Sequence, residues 1–107
     1  MIATETQLRL TQVERNGIVC LRPEGELDNA TLEPLRERLD DLGRHQKTVR
    51  LDLGGLTFLG TSGLGVLLAA CTQARHDGRR LTFYHGRPEV ERMLQLSGVD
   101  RLLDFEP

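Results

Sequence analysis

Across residues 49 to 77 the apolar pattern changes period once, and that change limits the folds open to this chain more than any other feature. Val49, Leu51 and Leu53 alternate with Arg50 and Asp52, the two-residue repeat of a strand with one face in water. Leu64, Leu67, Leu68, Cys71 and Ala74 then share one face of a helix that should run from Ser62 or Gly63 to about Asp77, with Gly78 as its stop signal. Between them lie Gly54-Gly55, where the strand is expected to end, and the junction Gly60-Thr61-Ser62-Gly63. A strand that hands over to a helix in this way belongs in a layered α/β structure.

The remaining patterns complete the layers. Leu8, Leu10 and Val13, the turn signal Asn16-Gly17 and the apolar run Ile18 to Leu21 read as a hairpin. After Pro23 and Gly25, Asp28 or Asn29 can cap a helix that carries Leu32, Leu35, Leu39 and Leu42 and that Gly43 closes. Leu81, Phe83 and Tyr84 form a short strand. Pro88 suits the first turn of a third helix, with Val90, Met93 and Leu94 on it and Ser97-Gly98 at its end; Leu102, Leu103 and Phe105 read as a last strand. The expected order is β-β-α-β-α-β-α-β, a mixed sheet with helices packed on it, in a single domain over residues 1–107.

Composition removes several functions. With 14 basic against 16 acidic side chains, net charge −2 and no basic block, direct nucleic-acid binding is not expected. The longest apolar runs, such as Leu64 to Cys71, fall far short of the roughly 20 residues that cross a bilayer, so no membrane insertion is expected. Met1 to Glu5 carry no basic region followed by an apolar stretch, which makes the cytoplasm the expected compartment. Cys20 and Cys71 lie in apolar settings that suit buried, reduced thiols. His45, His76 and His85 have no metal-ligand spacing and read as solvated, so neither metal nor cofactor is expected. Arg75, Arg79, Arg80 and Arg87 read as a solvated cluster at a helix end, able to meet an acidic patch on a partner.

Chemistry concentrates at the junction. Thr61 or Ser62 can be the N-cap of the second helix, accepting a bond from an unpaired backbone amide worth about 1 kcal/mol. The same position tolerates a phosphate ester, because free amides and the positive helix end face it. Gly60, Gly63 and Gly65 do not complete a nucleotide-binding loop: the GxxxxGK[ST] pattern is absent, and no lysine stands at the junction. Leu64 stands where a nucleophile elbow needs glycine, and no catalytic residue is expected.

Asp52-Leu53, Phe58, Ser62-Gly63-Leu64 and Gly65 resemble the signature of STAS-domain anti-sigma-factor antagonists, where an Asp-Leu pair and a Phe precede Asp-Ser-Ser/Thr-Gly-Leu. Gly25-Glu26-Leu27-Asp28, followed by Leu35-Arg36, resembles that family's segment before its first helix. The resemblance implies a STAS-type mixed sheet and a partner switch. In such a switch the unphosphorylated antagonist binds an anti-sigma factor with serine/threonine kinase activity and so frees a sigma factor. The kinase phosphorylates the antagonist, release follows, and a phosphatase resets the cycle. By position the resemblance implies Thr61 as phosphoacceptor, with Ser62 second in order, and Asp28, Gly60, Thr61, Ser62, Gly63 and Leu64 as the partner-binding surface. The chain departs from the signature at Gly60, where the family usually has the aspartate, at Thr61, where it has serine, and at Gly54, where serine is frequent. Gly60 favours an alternative, a constitutive, unphosphorylated STAS adaptor in a scaffold or membrane transport complex. A small-ligand-binding or catalytic domain is a third reading, supported only by the glycine-rich loop.

Overall fold

The computed structural model describes residues 8–45 and 48–107; Met1 to Glu5, read above for an export signal, lie outside the described residues. Strands β1 (Leu8–Arg15) and β2 (Ile18–Leu27) form an antiparallel hairpin in register from Leu8 opposite Gly25 to Arg15 opposite Ile18. Its two-residue turn needs positive φ at both Asn16 (55°) and Gly17 (78°), which asparagine and glycine adopt with least strain. β2 outruns the apolar stretch Ile18 to Leu21, continuing through Pro23 to Gly25 because β1 pairs with it that far, and on to Leu27 beside a second partner.

The other edge of β2 is shared by two parallel partners. β3 (Thr48–Asp52) pairs with Ile18 to Leu21, and β4 (Leu56–Leu59) pairs with Gly25 to Leu27, with an irregular register between Gly25 and Glu26. Between them one turn of 3-10 helix, Leu53–Gly55, is held by the Asp52 carboxylate accepting from the Gly54 amide at 2.8 Å. The strand therefore does not leave the sheet at Gly54-Gly55 as the glycines suggested. It jogs and re-enters beside the far half of β2. β5 (Arg80–Tyr84) lies parallel to β3. The expected last strand is reduced to one bridge, Phe83 with Phe105, after a 3-10 turn at Val99–Arg101.

Helices α1 (Leu32–His45) and α2 (Thr61–His76) lie over the sheet face that carries Val19, Leu21, Val49, Leu51, Leu81 and Phe83, each 6% exposed or less. α1 buries Leu32, Leu35, Leu39 and Leu42, and α2 buries Leu64, Leu67, Cys71 and Ala74 as expected, with Val66 buried as well and Leu68 only half-buried. α3 (Pro88–Ser97) packs on β4 through Val90 and Leu94. Gly43 does not close α1, which runs two residues further; a Cβ there would lie 3.0 Å from the Arg79 guanidinium carbon, so the glycine makes room for that side chain. On the opposite sheet face Cys20, Arg50 and Tyr84 are half-buried. Cys20 is thus less enclosed than expected, whereas Cys71 is fully buried; desolvation pushes both thiols up.

Candidate functional site

Two parallel strands end side by side at the junction. Leu27 pairs with Leu59, and the Gly60 amide donates to the Leu27 carbonyl at 2.9 Å, so the loops leaving β2 and β4 emerge together, one into α1 and one into α2. Crevices outside the carboxyl ends of parallel strands are the usual binding places of α/β sheets. The first loop is closed by its own side chains. Thr31 Oγ1 donates to the Glu26 carbonyl at 2.7 Å and accepts from the Asp28 amide at 3.1 Å, while Asp28 Oδ1 accepts from the Ala30 amide at 3.0 Å. Asp28 therefore braces the loop before α1 instead of bonding a helical amide, a correction to its expected capping role.

The second loop departs further from expectation. Gly60, at φ −91° and ψ 175°, is the N-cap of α2, and no side chain makes a capping bond there. Thr61 and Ser62 are the first and second helical residues, because the chain turns one residue earlier than the hydroxyls suggested. The first intrahelical bond runs from the Leu64 amide to the Gly60 carbonyl at 3.1 Å, which leaves the amides of Thr61, Ser62 and Gly63 without helical acceptors. Thr61 is exposed and Ser62 half-exposed, above buried Gly63 and Leu64. A Cβ at Gly63 would meet Leu59 Cδ1 at 2.8 Å and Leu27 Cγ at 2.9 Å, so this glycine lets α2 start directly against the strand ends.

Of the six expected surface residues, Asp28, Gly60, Thr61 and Ser62 meet at the surface, and Gly63 and Leu64 shape the site from beneath. A Cβ at Gly60 would stand 3.3 Å from Phe58 Cε2 and 3.6 Å from Asp28 Cβ, so Asp28 lies beside the junction with its carboxylate engaged by the Ala30 amide. Two contributors lie outside the expected surface, Phe58 standing in the sequence only as a signature residue. Phe58, 48% exposed, flanks Gly60, and a groove of about 630 Å³ runs from the junction between α1 and α2, lined by Asn29, Leu32, Arg36, Ser62, Gly65 and Ala69 among others. One signal could have revealed the groove: no charged side chain occurs between Asp52 and Arg75, even at positions α2 leaves exposed.

The arginine cluster disperses on folding. Arg75 bonds the Leu102 carbonyl at 2.8 Å and Asp104 at 3.0 Å, and Arg79 is only 17% exposed, paired with Asp77 at 3.2 Å. His45, His76 and His85 are exposed as expected, although His85 also stacks on Phe105 with ring centroids 4.1 Å apart. Among the described residues no three His, Cys, Asp or Glu side chains gather as a metal-ligand group, and no helix is long and apolar enough to cross a membrane.

Comparison with known proteins converges on one family. The family model described as Mlab, STAS domain, matches residues 9–104. The chain is 30% identical to the anti-sigma F factor antagonist of Paenibacillus polymyxa over 98 residues, 90% of this chain and 84% of the relative. Among solved structures it resembles an anti-sigma factor antagonist from Mycobacterium paratuberculosis, with TM-score 0.84 and 20% identity over 99% of this chain and 91% of that one. It also resembles the Bacillus cell fate determinant SpoIIAA in its phosphorylated form, with TM-score 0.68 and 22% identity over 94% of this chain and 91% of the other.

Proposed function

The chain belongs to the STAS-domain family of anti-sigma-factor antagonists, and from that premise we propose that it binds an anti-sigma factor with serine/threonine kinase activity and is released when that kinase phosphorylates Thr61. The observation that carries the reading is the exposed, uncapped hydroxyl-bearing residue at the first position of a 16-residue helix, beside a groove whose α2 wall has no charge. The unpaired amides of Thr61 to Gly63 and the helix dipole favour an anion at this end. A phosphate adds about 1.5 to 2 negative charges, which a docked uncharged surface rejects through the cost of desolvating them while the core beneath is untouched. Residues 1–107 act in this cycle as one STAS domain in the cytoplasm, catalysing nothing themselves, and a phosphatase restores the binding form.

Incubation with the cognate kinase and magnesium ATP, followed by site mapping, should find phosphate on Thr61 and none on the Thr61→Ala variant. Thr61→Glu should weaken binding to the anti-sigma factor at least tenfold with its thermal midpoint preserved. Phosphate on neither Thr61 nor Ser62 would overturn the switch.

Gly60 supports a second reading, a constitutive STAS adaptor, because the carboxylate usual at that position in the family is missing and only Asp28 stands alongside. If Thr61→Glu leaves partner affinity unchanged while substitutions on the exposed side of α2 abolish it, the adaptor reading holds.

A further inference from the structure

The sheet face turned away from α1 and α2 has a charge pattern unlike that of the whole chain. The strand registers put Arg9 and Arg15 of β1, Arg22 of β2, Arg50 of β3 and Arg80 of β5 on this face. Among the described residues its carboxylates are Glu24, Asp52 and Glu106, the last reaching in from the tail beyond β5, so five guanidinium groups stand there against three acids on a protein whose net charge is −2.

All three acids are already engaged. Arg22 bonds Glu24 at 3.1 Å and Asp52 at 2.9 Å, and the Glu106 carboxylate accepts from Thr82 Oγ1 at 2.6 Å with Arg50 Nε 3.3 Å away. By contrast Arg9, Arg15 and Arg80 make no ion pair among the described residues. Beside Arg15 and Arg50 lies a shallow hollow of about 360 Å³ lined by Val13, Ile18, Cys20 and Tyr84. Val13 is 58% exposed at its rim. The unsatisfied features of this face are therefore positive charge and one apolar hollow, side by side.

We propose that this face is a second docking surface, separate from the Thr61 junction, for an acidic protein segment that sets one apolar side chain in the hollow between Arg15, Arg50 and Tyr84. The hollow, about 360 Å³, has room for one apolar side chain together with the backbone that carries it, and the unpaired guanidinium groups sit at its edge and beyond, where flanking carboxylates reach them. A nucleic-acid strand fits less well. A continuous phosphate backbone would run over Glu24, Asp52 and Glu106, and Tyr84 is the only aromatic ring that the registered strands place on this face, so no stacking platform exists among the described residues.

Tyr84 makes the test direct, because it is the only tyrosine and the chain has no tryptophan. The probe is the blocked peptide acetyl-Glu-Asp-Leu-Asp-Glu-amide, titrated at low salt while tyrosine emission and backbone amide shifts are followed. The expected result is saturable binding on the order of 100 µM, with shifts confined to β1, β2, β3 and β5. Affinity should fall at least tenfold in the double variant Arg15→Glu with Arg80→Glu and when the peptide leucine is replaced by glycine, and Thr61→Glu should bind as well as the parent. Both arginines are exposed, so the double variant should stay folded, with a thermal midpoint lowered only by the loss of the Arg80 charge near Glu106. Absence of binding, equal affinity in the double variant, or shifts centred on the α1–α2 groove would each overturn the proposal. Tighter binding by an oligothymidylate of equal charge would assign the face to nucleic acid instead.

Discussion

Two glycines that look alike in the sequence have opposite roles in the structure. At Gly55 a Cβ would lie 2.7 Å from the Pro23 carbonyl oxygen and 2.8 Å from Glu24 Cγ, and the carbonyl belongs to a paired strand that has no room to shift. At Gly65 a Cβ would meet nothing within 4 Å, on the solvent side of α2. Gly55→Ala should therefore cost about 1–3 kcal/mol as an overpacking change. Gly65→Ala should gain about 0.5–1 kcal/mol by removing a flexible residue from a helix interior. Urea midpoints of the two variants check both signs at once. Only the strand passing over Gly55 tells these positions apart, and no local pattern announces that strand.

At the scale of the element, the carboxyl-terminal segment is the least regular part of the fold and the most heavily tied. The Phe83 amide donates to the Asp104 carbonyl at 2.9 Å and the Glu106 amide to the Phe83 carbonyl at 2.8 Å, while Arg75 holds the Leu102 carbonyl and the Asp104 carboxylate. Glu106 is held below its usual carboxylate range, first by the Thr82 hydroxyl and then by the charges of Arg50 and Arg80. A depressed pKa means that the unfolded chain binds the proton more readily, so this contact contributes above the ordinary value of 4.5 and is lost as pH falls below it toward the folded value. The thermal midpoint of the parent should accordingly drop more steeply below pH 4.5 than that of Glu106→Gln, which has no charge to lose. Equal slopes would show that the tie is not electrostatic. Leu102, Leu103 and Phe105 signalled a strand here, but with only Phe83 to pair against, one bridge forms and tertiary anchors do the rest.

At the scale of the molecule, the buried residues of the sheet and helices form a single cluster, with Leu21, Leu35, Leu51, Leu67 and Phe83 fully enclosed. Leu51→Ala should destabilise the whole by about 2–5 kcal/mol. Fluorescence and circular dichroism should still report one coincident transition, since the described residues hold no second core to unfold separately. The sequence alone determined the hairpin, the three helices, the strands at β3 and β5, the mixed character of the sheet and the stripes Leu32, Leu35, Leu39, Leu42 and, Leu68 apart, Leu64, Leu67, Cys71, Ala74, because periodicity is a local consequence of burying one side of an element. It also marked the Thr61 junction, since glycines and hydroxyls cluster there whichever of them caps. Only the tertiary structure decided that Gly60 is the cap, that β4 rejoins β2 after a 3-10 jog, that Asp28 stands next to Gly60, and that the uncharged side of α2 opens a groove against α1. Each of these depends on which strand ends lie side by side, and that is set by pairing between residues up to 32 positions apart, as Leu27 with Leu59, where no window of local sequence carries the information.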